Sequence, residues 1–185
     1  LARAFRDEDL RSDRQYEHTQ IDLEMSFVEE DDIHAVAERM LAAVFKETMG
    51  VDIPTPFARL DYAEAMKTYG SDKPDLRYGF EIKDCSAIFK DSGFKVFAEA
   101  AAGGTVRALK SPGPFSRAEV DRLGESAKSL GAKGLAWIEW KAGGQTSPIV
   151  KFLKSEELSA LAELFGTKEG DFLFFCAGPA EIVAP

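Results

Sequence analysis

Near its N-terminus the chain carries FRDEDLRSDRQ, residues 5–15, in which most side chains are charged or amide-bearing. Arg6 and Glu8 lie two residues apart, so on an extended strand they share a face, and downstream Gln20, Asp22 and Glu24 do the same. One arginine among carboxylates and an amide on a sheet face suits a small ligand bearing both signs of charge. The guanidinium fork grips phosphate or carboxylate, and a carboxylate or amide can receive an amino group. Between the two sets lie Arg11, Arg14, Gln15 and His18, long polar side chains able to close over such a ligand. A solvated hairpin face carries the same mixture of charges, and spacing alone does not separate the two readings. Taken singly, His18 reads as a loop residue and His34 as an exposed residue near a helix N-terminus.

These residues must be held by local structure. Thr19–Phe27 alternates, with Ile21, Leu23, Met25 and Phe27 on one face, and predicts a half-buried strand. Leu1–Glu8 also reads as a strand, so the two form an antiparallel hairpin with a polar loop. Asp31 or Asp32 is expected to cap a helix with the stripe Ile33, Val36, Ala37, Met40, Leu41 and Val44, ended by Gly50. Asp61 caps a short helix stopped by Gly70, and GSDKPDLRYG, residues 70–79, has the chemistry of a linker.

Beyond it, strands are expected at Phe94–Ala98, Thr105–Leu109, Leu135–Lys141, Ile149–Leu153 and Phe172–Ala177, the last one central in its sheet. A helix with the capping box Ser116/Glu119 and another capped by Ser155 separate them. Trp137 and Trp140, three apart on a strand, face opposite ways, so at least one belongs to a core or interface. The expected fold class is α+β: a hairpin with helices over residues 1–79, then a compact α/β module over residues 80–185.

Composition bounds the function. The 185 residues carry a net charge of −9, concentrated as −8 in residues 1–79 and −1 in the remainder. That excludes bulk non-specific binding of nucleic acid, but not a few placed arginines. No run of about eighteen apolar residues exists to cross a membrane. No basic segment followed by an apolar stretch opens the chain, so a cytoplasmic protein is expected. Cys85 and Cys176 lack metal-ligand spacing and read as buried free thiols.

FRDEDLRSDRQYEHTQIDLEMSF, residues 5–27, closely resembles motif 2 of the class II aminoacyl-tRNA synthetases, in the form found in the bacterial-type aspartyl enzymes. YGSDKPDLR resembles the segment leading from their catalytic core into an insertion. GAKGLAWI and SPIVKFL resemble that insertion, the GAD domain, which is shared with a subunit of the tRNA-dependent amidotransferase. The resemblance implies an aspartate–tRNA ligase that uses ATP, Mg2+, L-aspartate and tRNA, and works as a homodimer. It implies that Arg6 contacts the α-phosphate of ATP and the aspartate carboxylate, as the catalytic residue. Glu8 would accept the adenine amino group, and Asp7, Gln15 and His18 would complete the ATP pocket. His18 stands where family members often carry a phenylalanine stacked on adenine.

By the same resemblance Gln20 and Asp22 face the aspartate, with Asp22 a partner for its ammonium, and Arg11 and Arg14 meet the tRNA acceptor end. No metal-ligand set is implied within the chain. Motifs 1 and 3 and an anticodon-binding barrel are not found in these residues, so the chain is expected to be a fragment, inactive alone. The rival expectation is a non-catalytic GAD-bearing module that binds tRNA or a protein. An amidotransferase subunit would explain the second half but not FRDEDLR.

Overall fold

The computed structural model describes residues 1–183. Contacts divide the chain into two compact units, Leu1–Arg59 and the residues from Leu60 onward. The division falls about twenty residues before the shift in charge near residue 80. Leu60 to Gly79 therefore belong by packing to the second unit.

In the first unit, β1 (Ala2–Phe5) pairs antiparallel with β2 (Glu17–Gln20). The strand expected over Thr19–Phe27 thus stops at Gln20. The register sets Ala2 opposite Gln20, so residues from Asp22 on have no backbone partner across the ladder. Phe27 further turns the chain out of extended geometry with a φ of 56°. The apolar set is consequently exposed, with Ile21 and Leu23 each at 61%.

The helix α1 (Glu30–Met49) follows and ends at Gly50 in the left-handed conformation, as its sequence predicts. Its cap is Glu29 rather than Asp31 or Asp32. Asp32 sits in the first turn and accepts the Glu29 N–H at 2.9 Å, closing a capping box. In a run of four acids the cap falls where the reciprocal bond can close. Arg59 returns to this helix, donating to Asp31 at 3.3 Å and to Glu38 at 3.2 Å, with His34 also in contact. No residue of α1 is fully buried.

The second unit holds every fully buried side chain among the described residues. Its first helix, α2 (Tyr62–Tyr69), is capped by Asp61, which accepts from the N–H groups of Ala63 and Glu64. A five-stranded sheet then forms, in the order β3 (Ile82–Asp84), β4 (Thr105–Pro112), β7 (Asp171–Gly178), β5 (Ala136–Lys141), β6 (Gly144–Thr146). Every neighbouring pair is antiparallel, and β7 is central as expected. The helices α3 (Lys95–Gly103) and α5 (Ser155–Phe165) pack on one sheet face through Phe97, Leu161 and Phe165. The helix α4 (Arg117–Ser129) covers part of the other through Val120. Trp140 joins the first core and Trp137 the second, on opposite faces as their spacing requires.

Two expected strands are something else. Phe94–Ala98 is the start of α3. In FKVFAEAAAG the alanines favour helix, and Phe97, Ala100 and Ala101 fall on the face toward the core. There the Phe97 ring lies 4.7 Å from Phe89 and 5.5 Å from Phe175. Ile149–Leu153 holds a 3-10 turn, Val150–Phe152, because the Ser147 hydroxyl accepts the Ile149 N–H at 3.1 Å and tightens the chain. The short strands β3 and β6 carry too few residues for alternation to show. The cap of α5 is Lys154 rather than Ser155, its N–H donating to Glu157 at 2.6 Å. Gly104 is required by close approach: a Cβ there would strike the Gly178 carbonyl oxygen.

Both cysteines are free thiols, Cys85 buried and Cys176 partly so. Burial, with the Asp84 carboxylate beside it, pushes the Cys85 thiol up to about 12. Thiol reagents at pH 8 are therefore expected to leave Cys85 unlabelled in the native protein and to label it in denaturant, read by mass spectrometry. Hydrogen exchange tests the rest of the fold. In a monomeric sample the amides of Ile21–Phe27 should exchange at nearly unprotected rates, while those of β7 are protected. Strong protection of Ile21–Phe27 would contradict the strand boundary described above.

Candidate functional site: the two faces of the hairpin

The ladder register sorts the hairpin side chains. Ala4 lies opposite His18 and Ala2 opposite Gln20, and the Arg6 N–H continues the ladder by donating to the Tyr16 carbonyl at 2.8 Å. Residues directly opposite share a face. One face therefore carries Ala2, Ala4, Arg6, Tyr16, His18 and Gln20, with two small residues leaving room above the sheet beside the longer ones. The other carries Arg3, Phe5, Glu17 and Thr19.

The arginines in and just after the first strand, Arg3 and Arg6, stand in contrasting surroundings. Arg3 is paired with Glu17, and its guanidinium lies 5.5 Å from the centre of the Phe5 ring. Arg6 makes no ion pair or side-chain hydrogen bond with any described residue, and it is exposed. A guanidinium left unneutralised on a polar face is equipped to receive an anion.

Past Arg6 the chain leaves the ladder. Arg11 and Arg14 form a bridge around a tight turn, with the Arg14 N–H donating to the Arg11 carbonyl at 3.1 Å. From that turn the Arg14 guanidinium reaches Glu8 at 3.6 Å. Glu8 is partly buried, whereas Asp7 and Asp9 beside it are exposed.

The candidate residues are thus brought together unevenly. Arg6, His18 and Gln20 share a face through the ladder, and Glu8 is joined to Arg14. Asp7, Arg11 and Gln15 are exposed on the loop, with no side-chain partner among the described residues. Asp22 lies two residues beyond the end of β2, exposed, and is not held on the Arg6 face by pairing. Tyr16 was not singled out from the sequence. It alternates with His18 and Gln20, and that period was the available signal.

The second unit offers no comparable constellation. An apolar groove of about 430 Å³ opens on the face of the sheet shared with α4, lined by Ile82, Leu109, Phe115, Phe174 and Cys176 among others. Arg107 stands at it as the one charged side chain. Among the described residues no group of three or more His, Cys, Asp or Glu could hold a metal ion, and no helix is long and apolar enough to cross a membrane.

The family model described as tRNA synthetases class II (D, K and N) matches residues 1–183. The chain belongs to this family. It is 51% identical over 186 residues to an aspartate–tRNA ligase of Clostridium perfringens, covering 99% of this chain and 31% of that protein. A Geobacillus kaustophilus aspartate–tRNA ligase is 51% identical over 188 residues, covering 100% of this chain and 32% of the relative. An Aquifex aeolicus aspartate–tRNA(Asp/Asn) ligase is 50% identical over 185 residues, covering 99% and 31%. The chain spans about a third of the length of the curated relatives it matches.

Proposed function

We propose that these residues are part of an aspartate–tRNA ligase, an enzyme that activates aspartate with ATP and passes the aspartyl group to the 3′ end of tRNA. The observation that carries the reading is the unpaired Arg6 on the ladder face it shares with His18 and Gln20. In-line attack of the aspartate carboxylate on the α-phosphate displaces pyrophosphate and gathers negative charge on the phosphate oxygens. A guanidinium fixed by the strand beneath it stabilises that charge without reorganising, and it also screens the approach of one anion to the other.

The remaining roles follow from reach and chemistry. Glu8 accepts the adenine amino group, while Tyr16 and His18 offer ring faces for stacking. Asp7 and Gln15 border the nucleotide from the loop. Gln20, on the Arg6 face, contacts the aspartate, and Asp22 receives its ammonium once the segment after β2 is held in place. Arg11 and Arg14 contact phosphates of the tRNA acceptor end, where arginine positions the nucleic acid without reading its sequence.

Mg2+ accompanies the triphosphate as part of the substrate. The residues from about 80 onward act as a GAD-type insertion module, and residues 1–79 as part of the catalytic core. The complete enzyme is a cytoplasmic homodimer, and the isolated 185 residues are inactive. A rival reading, a non-catalytic module binding tRNA or protein, draws on the second unit's self-sufficient core.

Aspartate-dependent exchange of labelled pyrophosphate into ATP by the complete gene product separates the two. Arg6→Ala is expected to lower the exchange rate by about 10²- to 10³-fold, the cost of removing one fixed donor to a developing charge. No exchange with the unaltered protein would leave the binding-module reading in its place.

A further inference from the structure

The ion pair between Glu8 and Arg14 has no part in the roles above, yet it joins two residues placed on different substrates. We infer that Arg14 is a positioning residue that occupies Glu8 while the nucleotide is absent. Adenine then displaces it, freeing its guanidinium for the phosphates of the tRNA acceptor end. This rests on the ligase reading and adds an order of events to it.

Two observations carry the inference. The guanidinium of Arg14 lies 3.6 Å from the Glu8 carboxylate, on the side chain expected to accept the adenine amino group. Arg14 is also presented from an ordered turn, its N–H bonded to the Arg11 carbonyl.

The Arg14 guanidinium lies against Oε2 of Glu8 and competes there with the adenine amino group for the carboxylate. Arg6, two residues earlier, makes no ion pair with Glu8. The Arg14 contact therefore also leaves Arg6 free for the phosphate. Both members of the pair are partly exposed, with side-chain accessibilities of 51% and 30%. Such a contact is weak enough for a ligand to displace and strong enough to register in binding.

The test uses the complete gene product and two assays. In aspartate-dependent pyrophosphate exchange, Arg14→Ala should lower the KM for ATP by about two- to five-fold, the range an exposed ion pair carries. Arg14→Lys, which keeps the charge, should stay close to wild type. In aminoacylation, Arg14→Ala should raise the KM for tRNA and reduce the salt dependence of tRNA binding by about one phosphate contact.

A KM for ATP that is unchanged or raised in Arg14→Ala overturns the displacement. So does a fall that Arg14→Lys shares in full. Unaltered KM and salt dependence for tRNA overturn the hand-over to the acceptor end. Each of these outcomes requires normal exchange by the wild type, so it is distinct from failure of the ligase reading, in which the wild type itself is silent.

Discussion

The register of one short antiparallel ladder governs what the N-terminal unit can do. Side chains alternate along a strand, so a slip of one residue in β2 would exchange its faces. Glu17 and Thr19 would then stand on the face of Arg6, in place of His18 and Gln20. Arg6 would meet the carboxylate that now neutralises Arg3, and its charge would be spent on the protein itself. In the observed register Glu17 is engaged with Arg3 over the Phe5 ring, and Arg6 is left unpaired. The chemistry proposed for this chain depends on that separation.

Little holds the ladder within its own unit. A two-stranded sheet is marginal in water, and each of its hydrogen bonds contributes only about 1 kcal/mol net. The apolar residues after β2 are exposed, and α1 has no fully buried residue. The second unit is built differently. Its central strand, β7, is sandwiched between two cores, and Phe175, Leu173 and Ile138 are completely buried. The chain thus joins a weakly supported hairpin to a module whose stability is its own.

Much of this was legible in the sequence where a local signal was complete. Asp61 with Gly70, and Ser116 with Glu119, marked helix ends because capping is decided within four residues. The apolar run Phe172–Ala177 marks a strand buried on both faces, and the candidate site residues rest on alternation and on the resemblance of FRDEDLR to a motif. The misses share a cause. Phe94–Ala98 is apolar enough for a strand, but the alanines beyond it and the Phe89–Phe175 surface decide for helix. Ile21–Phe27 alternates like a strand, yet alternation describes only one partner, and pairing requires another. The Glu8–Arg14 contact was invisible because it depends on the loop closing at Arg11 and Arg14.

The central claim is the register, and cross-linking tests it most directly. Phe5 and Glu17 stand opposite each other in the ladder. In the complete gene product, Phe5→Cys with Glu17→Cys should oxidise readily to a disulfide, mapped by mass spectrometry, whereas Phe5→Cys with His18→Cys should not. Efficient cross-linking of the second pair in preference to the first would place β2 one residue out of register. The sorting of Arg6 from Glu17 would then fail with it.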